Sequence, residues 1–299
     1  MFSAFRLMTW RSNMSDKTSK IDQLFNLNNK LSQEVRSSLS AIIKSLGKTK
    51  FKYTSKALLS FILKSGYLNN AILELSGNKN VYATAILFRS IIEHNFRHLY
   101  IYARALNDDS DDVGKRYYKT LKGSEDLESF TKINNYNKVV YPEKTNWNTK
   151  GRHNKVIGEV GKEFRIEQIF FYLIANNNNE KDETIKRFKK EYLLQRLIEY
   201  TNLSSGVHGG PFGELTFFNL QKNKEKSNKA LERFANDSFN LHCSLVESTY
   251  LFVYLMDDKM RIYYEKIKNL RETKAIMANK SSNKDLHKAG VSKKDEFQE

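Results

Sequence analysis

The stretch that decides the fold is AILFRSIIEHNFRHLYIYAR, residues 85–104. Its apolar residues recur at steps of three and four, which is the period of a helix with a wide apolar face. A helix of this kind belongs at the centre of a bundle. It nevertheless carries charged residues at steps of four, namely Arg89, Glu93 and Arg97. Buried charges are costly unless they are paired. The stretch therefore predicts either a packing ion pair between Arg89 and Glu93 or a polar site within the helical core.

Helical periodicity continues through most of the chain, over residues 19–46, 54–77, 81–106, 113–133, 157–175, 182–204 and 228–268. The chain has only two prolines in 299 residues, and proline is the strongest helix breaker. These features predict an all-α fold, a bundle of six or seven helices that forms a single domain over residues 19–270.

The segments outside this periodicity are expected to be irregular. Residues 134–155 are predicted to form a long central loop, in which Trp147 packs down as a lid or an anchor. Residues 1–18 are expected to be a flexible extension, and the charged residues 271–299 a fraying helix that passes into a disordered tail. Because Met14 precedes an ordinary helix start, translation could begin at Met1 or at Met14.

The charge balance indicates an anionic partner. Fifty Lys and Arg residues against 34 Asp and Glu give a net charge of +16, which favours nucleic acid first and a membrane surface second. The clusters Lys186-Arg187-Lys189-Lys190 and Lys150-Arg152-Lys155 are the candidate patches. The alternative is a lysine- and asparagine-rich composition that reflects nucleotide bias in the genome.

Cysteine and histidine usage limits the chemistry. The single cysteine, Cys243, excludes an internal disulfide and a thiolate-cluster zinc site, and it favours a reducing cytoplasm. His94 and His98 have the spacing of two metal ligands, but no third ligand is evident, so neither a metal nor another cofactor is predicted. No run approaches the ~20 apolar residues that a membrane span needs.

One short motif resembles a known superfamily. Arg89, Ser90 and His94 follow the pattern of the HEPN ribonucleases, in which a polar residue follows an Arg and four to six residues separate that Arg from a His. The resemblance implies an all-helical homodimer that cleaves RNA without a metal, with Arg89 holding the phosphate and His94 moving a proton. Helix geometry argues against this pair, because five residues turn ~500° and leave Arg89 and His94 ~140° apart.

A second resemblance covers residues 50 to 260. Arg89-x-x-x-Glu93, then Trp147 with a downstream Lys-Gly, then Tyr200-x-x-x-Ser204-x-x-x-His208-Gly209 is similar to a bacterial helical family catalogued as domain of unknown function 5677. It implies the fold and the location of a site, not an activity. His208 would then be either an acid/base group presented by a glycine-rich turn or a structural histidine that caps that turn.

These observations predict one polar site with Arg89, Glu93, Tyr200, Ser204 and His208 at its centre. Arg89 would bind an anionic oxygen, Glu93 would orient Arg89, and His208 would exchange protons near neutral pH. The predicted function is a HEPN-like, metal-independent ribonuclease or RNA-targeting effector, with RNA favoured over DNA and a setting in toxin or anti-phage defence by analogy. The alternative is a non-catalytic helical module that binds a nucleotide, a nucleic acid or a partner protein.

Overall fold

The computed structural model describes residues 19–121, 154–177, 181–207, 217–220 and 222–272, together with positions 129, 132, 133, 135, 136 and 138–141. Within these residues the regular elements are helices and none is a strand, which confirms the all-α class. The helices are α1 (Lys20–Leu46), α2 (Lys52–Gly77), α3 (Val81–Asn107), α4 (Asp112–Lys115), α5 (Asn154–Glu163), α6 (Ile166–Asn177), α7 (Glu183–Val207), α8 (Lys224–Met256) and α9 (261–272).

The core forms where α2, α3 and α8 pack against one another. Helix α1 covers α2 and α8, while α6 and α7 pack on α3. Phe61, Phe88 and Phe252 are fully buried among these helices. The central position predicted for the stretch 85–104 is therefore correct, because α3 contacts helices on both of its sides.

Helix α8 is joined to the other core helices by buried polar pairs as well as by apolar packing. Such pairs fix the register of helices, since each unpaired partner would carry a desolvation cost of roughly 1–3 kcal/mol. The pairs are Ser238 with Asn69 (2.8 Å), His242 with Ser65 (2.8 Å), Thr249 with His98 (2.9 Å) and Tyr250 with Ser38 (2.6 Å).

Helix α2 obtains its amino-terminal cap from a distant residue. Its own first residues provide no side-chain cap. Instead, the carboxylate of Asp111 accepts hydrogen bonds from the amides of Tyr53 (2.9 Å) and Thr54 (2.7 Å). Gly114 allows this approach, because a Cβ at that position would lie 2.2 Å from the Thr54 nitrogen. The short helix α4 is thereby fixed against the start of α2.

Three predicted helices have different limits in the structure. The helix predicted over 113–133 begins as α4 and passes into a π-helical turn at Arg116–Leu121. The helix predicted over 157–175 starts earlier and divides into α5 and α6 around Phe164, whose buried ring packs against Tyr100 and Tyr117. Positions 135, 136 and 138–140, expected to be irregular, are helical.

The long last helix, predicted over 228–268, is interrupted at Asp257. Its carboxylate accepts a hydrogen bond from Ser45 Oγ (2.8 Å) and another from the Lys259 amide (3.1 Å). These bonds hold residue 257 in extended backbone, so that α8 ends at Met256 and a 3₁₀ turn, Asp258–Met260, leads into α9. Helix α9 includes residues 271 and 272, the first two residues of the segment predicted to be a fraying helix and then a disordered tail.

Several sequence predictions lie outside the described residues. They concern the extension 1–18, the side chains of Trp147 and His208, and residues 273–299. Among the helices of the described residues, none is long and apolar enough to cross a membrane.

Candidate functional site

Arg89 lies at the contact between α3 and α7. Its Nε donates to Ser204 Oγ (2.8 Å), and one terminal nitrogen donates to the Tyr200 hydroxyl (3.0 Å). The guanidinium carbon is 4.7 Å from the centre of the Tyr200 ring. Two acceptors and an aromatic ring on one helix therefore hold the guanidinium of Arg89 in a fixed orientation.

Glu93 lies between two arginines of α3. One of its oxygens is 3.5 Å from a terminal nitrogen of Arg89, and the other is 2.9 Å from a terminal nitrogen of Arg97. The predicted pair of Arg89 and Glu93 is present, but the closer partner of Glu93 is Arg97. Two guanidinium groups share one carboxylate, so the cluster carries one uncompensated positive charge.

The three charged side chains are only partly buried, with exposed fractions of 18%, 20% and 23% for Arg89, Glu93 and Arg97. The Nε of Arg97 is buried and has no hydrogen-bond partner among the described residues. A cluster with excess positive charge, unused N–H donors and access to solvent has the chemical properties of a site for an oxyanion.

The sequence explains this convergence. Arg89, Glu93 and Arg97 follow one another at steps of four on α3, so their heads drift by only ~80° in total. Tyr200 and Ser204 have the same step on α7, which packs on α3. Two stripes of period four therefore face each other along the contact between the helices. Arg97 was visible in the charge pattern but was not assigned to the site.

Tyr200 stays protonated at neutral pH. Burial raises the pKa of its phenol, and the charge of Glu93 raises it further, while Arg89 acts in the opposite direction. A neutral phenol accepts the hydrogen bond from Arg89 and keeps a proton that it can donate to an anion.

His94 does not join this cluster. Its Nδ1 is 2.7 Å from the Ser90 carbonyl oxygen of its own helix, and its ring packs against Phe61 of α2 at a centroid distance of 5.8 Å. Burial lowers the pKa of His94. Arg89 faces α7 and His94 faces α2, as expected from the ~140° that separates the two residues on a regular helix.

The carboxyl end of α7 is closed by an aromatic contact. A Cβ on Gly206 would lie 2.4 Å from a ring carbon of Phe217, and the Phe217 ring packs edge-on against Tyr82 at 5.2 Å. Gly206 thus allows the chain to return to the end of α7 at Phe217. His208, two residues after Gly206, and Trp147 lie outside the described residues.

The other candidate features contribute little to this cluster. His98, the proposed partner of His94, is buried, and its Nε2 is hydrogen-bonded to Thr249 Oγ1. Within the part of the chain that the structure describes, no three His, Cys, Asp or Glu side chains form a group that could hold a metal ion. In the basic cluster of α7, Lys186 pairs with Glu183 (2.8 Å) and Arg187 with Glu191 (2.7 Å). The cluster at 150–155 has no described side chain.

Comparison of the chain with models of known families, with curated proteins and with solved structures gives no match. The resemblances to the HEPN ribonucleases and to the helical family of unknown function therefore stay predictions from short motifs.

Proposed function

We propose that this protein is an RNA-targeting effector that binds a backbone phosphate at the Arg89 cluster and cleaves the chain without a metal ion. The observation that carries the proposal is the orientation of Arg89 by Ser204 and Tyr200, beside Glu93 and Arg97. A guanidinium held in this way is preorganised for a phosphate, because its donors point in fixed directions before the ligand arrives.

In this proposal His208 performs the proton transfer. The 2′-hydroxyl of RNA attacks the adjacent phosphorus, so that a 2′-oxygen–phosphorus bond forms while the bond to the 5′-oxygen breaks. His208 accepts the 2′ proton or supplies the proton that the 5′-oxygen takes up, and Arg89 with Arg97 stabilises the charge on the non-bridging oxygens. The support for His208 is its position in the sequence, four residues after Ser204.

RNA binding without cleavage is the second candidate. It is favoured by the observation that no histidine among the described residues contacts Arg89 or Glu93. The two candidates share the phosphate site and differ only in the proton-transfer group, so one experiment separates them.

The test is incubation of the purified protein with total RNA, with and without a chelator, followed by analysis of fragment length and end groups. The proposal expects cleavage that survives the chelator, gives cyclic phosphate ends and disappears in His208→Ala. His94→Ala is the matched control and should stay active, because His94 faces α2. Intact RNA that is retained by the wild type and released by Arg89→Met would support binding without cleavage.

The dependence of RNA binding on salt tests the phosphate contacts separately. Each phosphate that a cationic side chain neutralises releases counterions, so the logarithm of the binding constant should fall linearly with the logarithm of salt concentration. Removal of Arg97 as Arg97→Met should reduce the slope by about one. Binding that does not respond to salt would indicate that the net charge of +16 reflects the amino-acid composition and not a surface for nucleic acid.

A further inference from the structure

A second concave site lies beside the contact between α3 and α7, at a different place from the Arg89 cluster. It is an open cavity of about 1030 Å³ lined by residues of α3, α6, α7 and α8 and by Arg271 of α9. It shares α7 with the Arg89 cluster, but Phe188, Tyr192 and Arg196 line it, whereas Tyr200 and Ser204 contact Arg89. The volume is at the upper end of the range of roughly 300–1,000 Å³ that small-molecule sites occupy.

Asn95 provides the strongest sign of a ligand. Its side chain lines the cavity and is only 4% exposed. No hydrogen bond joins its amide to a described residue, and the amide atoms are not among those closed off from solvent, so they face the open space of the cavity. An amide in this position can use its donors and its acceptor to recognise a ligand that enters from solvent.

Two further lining residues keep unpaired polar atoms. Asn177 donates from Nδ2 to the Lys186 carbonyl (2.8 Å), but its buried Oδ1 has no partner in the described part of the chain. Arg196 is 12% exposed and bonds through one terminal nitrogen to Asp237 (3.1 Å) and Glu199 (2.7 Å), while its Nε has no described partner. Both unpaired atoms are closed to solvent and therefore to a ligand in the cavity, which leaves recognition to side chains that face the cavity, such as Asn95.

The described lining also has a consistent charge and shape. It contains three cationic residues and no carboxylate, and the carboxylates that pair with Arg196 and Arg271, namely Glu199, Asp237 and Glu247, are not among the lining residues. Five asparagines and three aromatic rings share the surface with leucine side chains. Amide groups recognise the edge of a heterocycle, aromatic and leucine side chains cover its faces, and cations at the entrance attract phosphate.

We propose that this cavity binds a nucleoside monophosphate, with the base enclosed beside Asn95 and Tyr192 and the phosphate near Lys189 and Arg271. Lys189 and Arg271 are suited to the charged end because both are largely exposed, while Asn95 is buried. The ligand is either a free nucleotide or the terminal nucleotide of an RNA strand, since both offer the same chemistry. The site stands independently of the activity proposed for the Arg89 cluster.

The test is calorimetric titration of the full chain with AMP, GMP, CMP and UMP, with adenosine and inorganic phosphate, and with a short single-stranded RNA. We expect at least one monophosphate to bind more tightly than its nucleoside or phosphate. Binding of the RNA that the monophosphate competes away would identify the strand terminus as the source. The absence of binding by any nucleotide at millimolar concentration would overturn the proposal.

Variants then locate the binding. Asn95→Leu, which keeps the branched shape and the number of heavy atoms but removes the amide, should weaken nucleotide binding by about tenfold or more while the melting temperature is kept. Lys189→Met should weaken the nucleotide but leave the nucleoside unchanged. Arg187→Gln, which removes an 82% exposed arginine from the same helix, is the matched control. Equal affinities in wild type, Asn95→Leu and Lys189→Met would place the nucleotide elsewhere and overturn the proposal.

Discussion

Arg89 Nε and Ser204 Oγ are joined by a hydrogen bond of 2.8 Å across 115 positions of the chain. The bond connects the central helix α3 to the last turns of α7, and Tyr200 adds a second bond to the same guanidinium. Ser204 Oγ also donates to the Tyr200 carbonyl (2.7 Å), so its own proton is used and its lone pair is left for Arg89. The donor and acceptor roles at this contact are therefore fixed.

Ser204→Ala and Tyr200→Phe should each destabilise the fold by about 1 kcal/mol, because each leaves one N–H of Arg89 without its acceptor in a partly buried place. The double variant should cost less than the sum, since both hydroxyls serve one guanidinium. Urea denaturation measures these changes. Ser248→Ala is the control, because within the described part of the chain Ser248 bonds only to carbonyls of its own helix. A loss for Ser248→Ala as large as that for Ser204→Ala would contradict the assignment.

Glu93→Gln should separate stability from anion binding. The variant removes the negative charge that Arg89 and Arg97 share, so the two guanidinium groups repel each other. Because the charges are partly buried, the free energy of unfolding should fall by about 1–3 kcal/mol, between the values for exposed and for buried pairs. The same change increases the local positive charge and should tighten the binding of phosphate and RNA. Both effects should shrink in high salt. Thermal melts with and without added phosphate, at low and high ionic strength, measure them. Weaker RNA binding in Glu93→Gln would contradict the phosphate site.

The two rows of polar side chains in this site could be predicted from the sequence. The helical spacing of charged residues, and the cost of burying them, can be read from a single helix. Charges at steps of four on an apolar helix require partners, and Tyr200 and Ser204 at the same step could supply them. The buried pairs of Ser65 with His242 and of Ser38 with Tyr250 gave no such signal. A single serine or histidine on an apolar face has many candidate partners, and only the packing of the helices selects one.

The ends of the helices and the cavity could not be predicted from the sequence either. Asp257 ends α8 because its carboxylate bonds to Ser45 of α1, a contact 212 positions away that no local propensity encodes. Asn95 is one of many asparagines in the chain, and its place on the wall of a cavity is visible only once four helices have packed together. Tertiary contacts override local propensity at such positions.

Gly114→Ala should be among the most damaging small substitutions in this protein. The new Cβ would lie 2.2 Å from the Thr54 nitrogen, so α4 must move away from α2 and the cap supplied by Asp111 must weaken. We expect a loss of about 2 kcal/mol or more, which combines overpacking with the loss of a cap. Gly77→Ala is the matched control, since a Cβ there meets nothing within 4 Å, and it should be neutral or stabilising by up to about 1 kcal/mol. Equal stabilities of the two variants would refute the close approach of α4.

The buried histidines should make the fold sensitive to mild acid. Burial lowers the pKa of His98 to about 3 and that of His242 to about 4. Thr249 Oγ1 donates to the Leu245 carbonyl (2.9 Å), so it accepts from His98 Nε2, and His98 Nδ1 has no described partner. A proton on Nδ1 would therefore place an uncompensated charge in the core.

The sign of the pH dependence follows from which state binds the proton. The unfolded chain takes up a proton on each histidine below a pKa of about 6.5, whereas the folded chain does so only near pH 3 to 4. Stability is therefore full above about pH 6.5 and falls as the pH decreases, by about 2 kcal/mol per histidine at pH 5. The pKa of Glu163 is also lowered, but its protonation affects stability only below about pH 4.5, outside the interval between pH 6.5 and pH 5 in which the histidines act.

His98→Gln isolates one of these contributions. Glutamine keeps an N–H that can bond to Thr249 but does not titrate, so the variant should lose less stability than the wild type between pH 8 and pH 5. We expect the difference between the two unfolding free energies to change by about 2 kcal/mol over that interval. Urea denaturation at several pH values measures it, and His242→Gln provides the same test at a second position should the first variant fold poorly. Parallel stability curves for wild type and both variants would show that these histidines are not held neutral in the core.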